Sequence, residues 1–162
     1  HKEGAKLYVT DINENALKAA ADQFGAIVVG SDDIFDLNVD VFSPCALGAV
    51  LNTDVIGRLK AQVIAGAANN QLAEEKEHGK MLIEKGIFYA PDFLINAGGL
   101  INVYSEYLGY NRERAYGATE KIYDTTLEIY KKAAAENIPT QQAATQMAEQ
   151  RVMDIMKVRS TY

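Results

Sequence analysis

A chain of 162 residues, nearly half of them apolar, can bury one sizeable core and belongs with ordinary globular domains. A net charge of −6 leaves no basic face to displace counterions from nucleic acid, and no apolar run reaches the roughly 20 residues that a membrane-spanning helix needs. The single cysteine, Cys45, excludes an intramolecular disulfide and fits a reducing compartment, so a cytoplasmic location is expected.

The first four residues, His1 to Gly4, read as the end of a helix stopped by glycine, and so as part of something longer. Leu7 to Thr10 is a β-rich apolar run, long enough for one buried strand, with Asp11 directly after it. Asn13 is placed to cap a helix in which Ala16, Leu17, Ala20, Ala21 and Phe24 recur at helical spacing, and Gly25 stops that helix. Strand, carboxylate and helix in this order describe the second strand of a dinucleotide-binding fold. There the acid accepts hydrogen bonds from the adenosine ribose hydroxyls and repels a 2′-phosphate. A solvated acid at a helix start is the equal alternative for Asp11 taken alone.

Ala26 to Val29 supplies the second strand, Val39 to Ser43 the third, Gln62 to Ala65 the fourth and Gly86 to Tyr89 the fifth. Between them a short helix is expected over Thr53 to Leu59, begun by Thr53 or Asp54, and a longer one over Ala73 to Lys85. Such alternation predicts an α/β fold, a doubly wound parallel sheet with helices on both faces. Beyond Tyr110 the pattern becomes purely helical. Arg112 to Glu136 carries Ala115, Ile122, Thr126, Ile129 and Ala133 on one face. Pro139 stands at the first position of a last helix striped by Ala144, Ala148, Val152 and Ile155.

In open parallel sheets the ligand lies across the carboxyl ends of the strands. Those ends carry Asp11, the small-residue loop from Pro44 to Gly48, the loop from Gly66 through Asn69 and Asn70 to Gln71, and the segment Asn96-Ala-Gly-Gly99. Small residues admit a cofactor ring to the backbone, and amides bind carboxamides and ribose hydroxyls. Turn formation is the competing explanation for the paired asparagines. The Gly98-Gly99 pair before Leu100-Ile-Asn-Val103 implies either close approach of a ligand or a tight helix contact, because two glycines weaken a helix interior by about 1 kcal/mol each. No His, Cys or carboxylate grouping has metal-ligand spacing, so no metal is expected.

Five motifs in order carry a resemblance: Val9 to Asn13, Pro44 to Gly48, Ala65 to Leu72, Tyr89 to Phe93, and Asn96 to Val103. Together they resemble the cofactor-binding half of the amino-acid dehydrogenases that deaminate leucine, valine, phenylalanine or glutamate, most closely the leucine-specific branch. The resemblance implies reversible, NAD-dependent oxidative deamination of a branched-chain amino acid to its 2-oxo acid and ammonia. It implies that Asp11, with Ile12 and Asn13, holds the adenosine ribose, and that Cys45, Ala46, Ala67, Asn69 and Asn70 line the cofactor. Asn96 would lie near the nicotinamide carboxamide and the substrate, and Leu100 and Val103 would line the side-chain pocket. Those two apolar positions suit an aliphatic substrate better than glutamate, whose carboxylate needs a cationic partner. The resemblance also implies a homo-oligomer.

The departures from the family pattern are equally specific. No G-x-G-x-x-G occurs in the chain. By resemblance the phosphate loop and first strand belong just before His1, and the catalytic lysines and aspartate in a preceding domain, so no catalytic residue is expected here. In the strand order 3-2-1-4-5-6 the absent strand is central, which leaves two interior edges open. The expected division is a partial NAD-binding Rossmann unit over residues 1–110 and a helical segment over 111–162 that packs on another domain or subunit. These 162 residues alone are expected neither to bind NAD nor to catalyse. The rival readings are a phenylalanine or valine dehydrogenase, and a non-catalytic NAD-binding or assembly module.

Overall fold

The computed structural model describes residues 1–160; the last two residues of the expected 111–162 segment lie outside them. Five parallel strands of two residues each alternate with helices: β1 (Tyr8–Val9), β2 (Ile27–Val28), β3 (Val41–Phe42), β4 (Val63–Ile64) and β5 (Phe88–Tyr89). They form two sheets. Among the described residues β1 pairs only with β2, and β3, β4 and β5 form a second sheet in that order. The break falls between β1 and β3, where the sequence places the absent central strand.

Helix α1 (Glu14–Phe24) begins as expected: Asn13 Oδ1 accepts the backbone N–H groups of Asn15 and Ala16 at 3.0 and 3.1 Å. It ends at Gly25, whose φ of 62° places it in the left-handed region. α2 (Thr53–Arg58) is capped by Asn52 rather than by Thr53 or Asp54, with Asn52 Oδ1 accepting from Val55 N at 3.0 Å. An asparagine in extended backbone three residues before an unpaired N–H caps as well as either alternative. At the other end of α2, the Lys85 ammonium donates to the carbonyls of Ile56, Gly57 and Leu59 at 2.6, 2.7 and 3.1 Å, satisfying acceptors that a helix end leaves open.

α3 (Glu75–Glu84) starts two residues later than its apolar pattern suggests. His78 closes its first turn, Nδ1 accepting from Glu74 N at 2.8 Å; Nε2 then carries the proton and donates to Thr53 Oγ1 at 3.2 Å. After β5 come α4 (Asp92–Ile95), α5 (Gly98–Tyr107), α6 (Arg112–Glu136) and α7 (Thr140–Ser160). The glycine pair therefore opens α5 instead of interrupting a helix, and Pro139 precedes α7, its carbonyl accepting from Ala143 N at 3.0 Å.

The main core lies between the three-stranded sheet and α2 and α3, with Leu51, Ile56, Ile64 and Leu82 almost wholly buried. A second, smaller core joins Ile129 and Ala133 of α6 to Ala143 and Ala144 of α7. No residue of β1, α1 or β2 belongs to either cluster, and Ile27 and Val28 remain exposed. The apolar stripe of α7 divides. Ala144 is buried, whereas every residue from 148 to 158 is exposed, Val152 and Ile155 among them.

Arg58 ties the segment after β2 to this core. Its guanidinium meets Asp36 through Nε and Nη2 at 3.0 and 2.7 Å and Asp32 through Nη1 and Nη2 at 2.9 and 3.1 Å. These charge-assisted hydrogen bonds hold both carboxyls below the usual carboxylate range. Between these two carboxylates the chain forms a 3₁₀ turn over Asp33–Asp36.

Candidate functional site

Because β3, β4 and β5 are parallel, the loops that follow them share one edge of the sheet. The loops after β3 and β4 are in close contact. Ala68 N donates to the Pro44 carbonyl at 2.9 Å, and Ala49 N to the Asn70 carbonyl at 2.6 Å. Two glycines permit this approach. A Cβ on Gly66 would lie 2.1 Å from the Pro44 carbonyl oxygen, and one on Gly48 would lie 2.6 Å from the Asn69 oxygen. The small-residue composition of both loops thus has a use within the chain itself.

The third loop brings Asn96, which follows the last turn of α4, against the second. Asn96 Nδ2 donates to Asn69 Oδ1 at 2.6 Å and reaches the Ala67 carbonyl at 3.4 Å. Twenty-seven residues separate the two asparagines in sequence, so only the parallel sheet makes them neighbours. Once this bond forms, the pair retains an amide donor on Asn69 and a carbonyl acceptor on Asn96. That set complements a primary carboxamide or a sugar hydroxyl.

The other expected residues fall as follows. Cys45 and Ala46 are exposed on the β3 loop, with Cys45 Sγ 3.5 Å from Ser43 Oγ. Asn70 takes the left-handed conformation, φ 51°, which is the turn role weighed for it. Leu100 and Val103 lie on α5, exposed at 74% and 63%, enough open apolar surface to receive another molecule or domain. Asp11, Ile12 and Asn13 stand at the carboxyl end of β1, all exposed. Asp11 Oδ1 accepts Asn13 N at 2.8 Å while Oδ2 takes no hydrogen bond from the described residues. The Asn13 side chain is spent on capping α1. Contacts join Ala67, Asn69 and Asn96 and set the Pro44 loop beside them; among the described residues no hydrogen bond joins the Asp11 group to these loops.

The loop that carries Asn69 is backed by buried polar groups, Gln71 and Asp92, whose burial the sequence does not reveal. Gln71 is fully buried, its Nε2 donating to the carbonyls of Gly66 and Ala68 at 2.7 and 2.9 Å. Asp92, also buried, accepts Gln71 N on Oδ2 at 3.0 Å and Phe93 N on Oδ1 at 2.7 Å. Nearby, burial and the charge of Asp92 push the Tyr89 phenol well above its ordinary range. The available signal was a buried-length polar side chain between Asn70 and Leu72, in a loop that otherwise reads as turn. An open groove of about 900 Å³ runs between α6 and α7, away from the asparagine pair and lined by Lys132, Met147, Arg151 and Ile155 among others.

Parallel strands alternating with helices, and polar loops gathered at the strands' carboxyl ends, define a Rossmann-like α/β protein. The sequence model of the glutamate/leucine/phenylalanine/valine dehydrogenases matches residues 3–160, and the chain belongs to that family. It is 56% identical to leucine dehydrogenase of Thermoactinomyces intermedius and 51% identical to that of Geobacillus stearothermophilus, in each case over the whole chain and 44% of the relative. The crystal structure of L-tryptophan dehydrogenase from Nostoc punctiforme superposes with a TM-score of 0.92 at 46% identity, covering 95% of this chain and 47% of that one. The chain thus spans less than half the length of the relatives it matches.

Proposed function

We propose that this chain is the C-terminal, cofactor-binding part of an NAD-dependent leucine dehydrogenase. In the intact protein it would serve the oxidative deamination of L-leucine and other branched-chain amino acids. The observation that carries the reading is the family match over residues 3–160, joined to half identity with leucine dehydrogenases along the entire chain.

The residues fit NAD at two points. Asp11 offers an exposed carboxylate with a free oxygen at the end of β1, suited to a ribose diol and hostile to a 2′-phosphate. The Asn69 and Asn96 pair offers one donor and one acceptor, suited to the carboxamide and ribose at the nicotinamide end. NAD, when bound, supplies the hydride acceptor for the substrate α-carbon. Ala67 and the Cys45–Ala46 backbone would form the wall, and Ile12 and Asn70 would flank it. Asn96 would orient the carboxamide, and Leu100 and Val103 would exclude water around an aliphatic side chain. Water is consumed and ammonia released at the carbon that loses the hydride. The groups that move those protons would come from the part of the protein that this chain does not span.

The two open sheet edges and the exposed α7 face support a division of labour. Residues 1–110 would complete their sheet with a strand from elsewhere in the protein. Residues 111–162 would pack on another domain or on a second subunit of a cytoplasmic homo-oligomer. Incubation of the intact protein with L-leucine and NAD should reduce the cofactor, followed by its absorbance; absence of turnover with every aliphatic amino acid would refute the assignment. The 162 residues alone should show no micromolar NAD affinity by calorimetry.

A further inference from the structure

The asparagine pair is held from below by residues that never reach it, and the chain of bonds between them can be traced. Gln71 uses both hydrogens of its side-chain amide to draw the Gly66 and Ala68 carbonyls inward. The carbonyl between them, on Ala67, is then the one that Asn96 Nδ2 reaches. Gln71 Oε1 has no hydrogen-bond partner among the described residues. A leucine or methionine would fill the same volume without burying an unpaired acceptor, so packing alone does not account for a glutamine here. The two loop carbonyls do account for it.

The second bond fixes distance. Gln71 N donates to Asp92 Oδ2 across 21 residues of sequence. Asn69 lies two residues before Gln71, and Asn96 caps the four-residue helix that Asp92 begins. One bond therefore ties the base of the segment carrying Asn69 to the base of the segment carrying Asn96. Both oxygens of Asp92 are committed to backbone N–H groups, so its side chain cannot turn without freeing a buried donor.

We infer that Gln71 and Asp92 are positioning residues, a buried clamp that keeps Asn69 in register with Asn96. The inference rests on the reading of that pair as part of the cofactor site, and it assigns neither residue a contact with cofactor or substrate. Loss of the clamp lets the 66–70 loop relax, and a displacement of about 1 Å takes a 2.6 Å amide contact beyond hydrogen-bond reach.

The test uses the intact protein and a double-mutant cycle of Gln71→Met and Asn69→Ala, read as kcat and KM with L-leucine and NAD. Gln71→Met alone should lower kcat/KM about 100-fold, the scale set by small misplacements in an active site. In the Asn69→Ala background the same change should cost less than about 3-fold, because the group it positions is gone. Equal losses in both backgrounds would overturn the clamp and leave Gln71 a packing residue. An inactive wild type would instead refute the proposed function. The clamp is then judged by a crystal structure of Gln71→Met: an Asn69–Asn96 amide separation beyond 3.5 Å supports it, and an unchanged pair overturns it. If Gln71→Met does not fold, Asp92→Asn replaces it in both measurements. That variant sets an NH₂ group against one of the two N–H donors now accepted by Asp92.

Discussion

Gly66→Ala is the substitution whose cost can be worked most directly from the structure. Gly66 does not have a positive φ, so an alanine there meets no backbone strain and the effect is steric alone. Its Cβ would lie 2.1 Å from the Pro44 carbonyl oxygen, 2.4 Å from the Pro44 nitrogen and 2.6 Å from Pro44 Cδ. The closest of these is about 1.3 Å short of ordinary van der Waals contact at 3.4 Å. Two of the three atoms are backbone and the third belongs to a proline ring, so no flexible side chain can swing aside. Overpacking of this kind costs about 1–3 kcal/mol. Moving the Pro44 carbonyl also breaks its 2.9 Å bond from Ala68 N, which adds about 0.5–1.5 kcal/mol. The expected loss is therefore about 1.5–4.5 kcal/mol, read as a lower urea midpoint of the intact protein by circular dichroism. Because the displaced loops are those that present Cys45, Ala46, Ala67 and Asn69, NAD affinity should fall as well. A destabilisation below about 1 kcal/mol with wild-type NAD affinity would show that the contact of the two loops does not constrain the site.

Three further outcomes are expected. Gly99→Ala meets nothing within 4 Å and lies in the first turn of α5, so stability should hold or rise by up to about 1 kcal/mol. If the glycine exists for close approach of a ligand, KM for NAD or leucine should rise at the same time, and unchanged KM values would refute that reason for it. Arg58→Leu should weaken the intact protein in a pH-dependent way. The lowered pKa values of Asp32 and Asp36 mean that their contribution is complete above the ordinary carboxylate value of 3.8 and is lost as pH falls through the lowered values. The stability gap to wild type should therefore be constant from about pH 7 to about pH 5 and narrow towards about pH 3; an equal gap throughout would refute the ion-pair origin. Leu100→Ala, at an exposed position on α5, should shift substrate ranking towards larger aromatic amino acids, and an unchanged ranking would remove Leu100 from the pocket.

Local chemistry made much of this protein legible from its residues alone. Asn13 and Gly25 bound α1 because an Asx cap and a left-handed glycine act within a few residues of themselves. The five strand positions follow from short β-rich runs between turn residues, and the break between β1 and β3 follows from a strand order with no central member in the sequence. Asn69 and Asn96 could each be named as candidates, from their place after a strand and from the family resemblance. Their 2.6 Å contact could not, since it depends on two loops brought to one sheet edge from 27 residues apart. The same holds for Asn52 displacing Thr53 as a cap, for Arg58 reaching back to Asp32 and Asp36, and for the choice of buried and exposed halves along α7. Nothing in the order of residues marks Gln71 and Asp92 as a buried pair. A polar side chain spends its hydrogen bonds on whatever the packed chain brings within 3 Å, and that neighbourhood exists only after the strands have aligned.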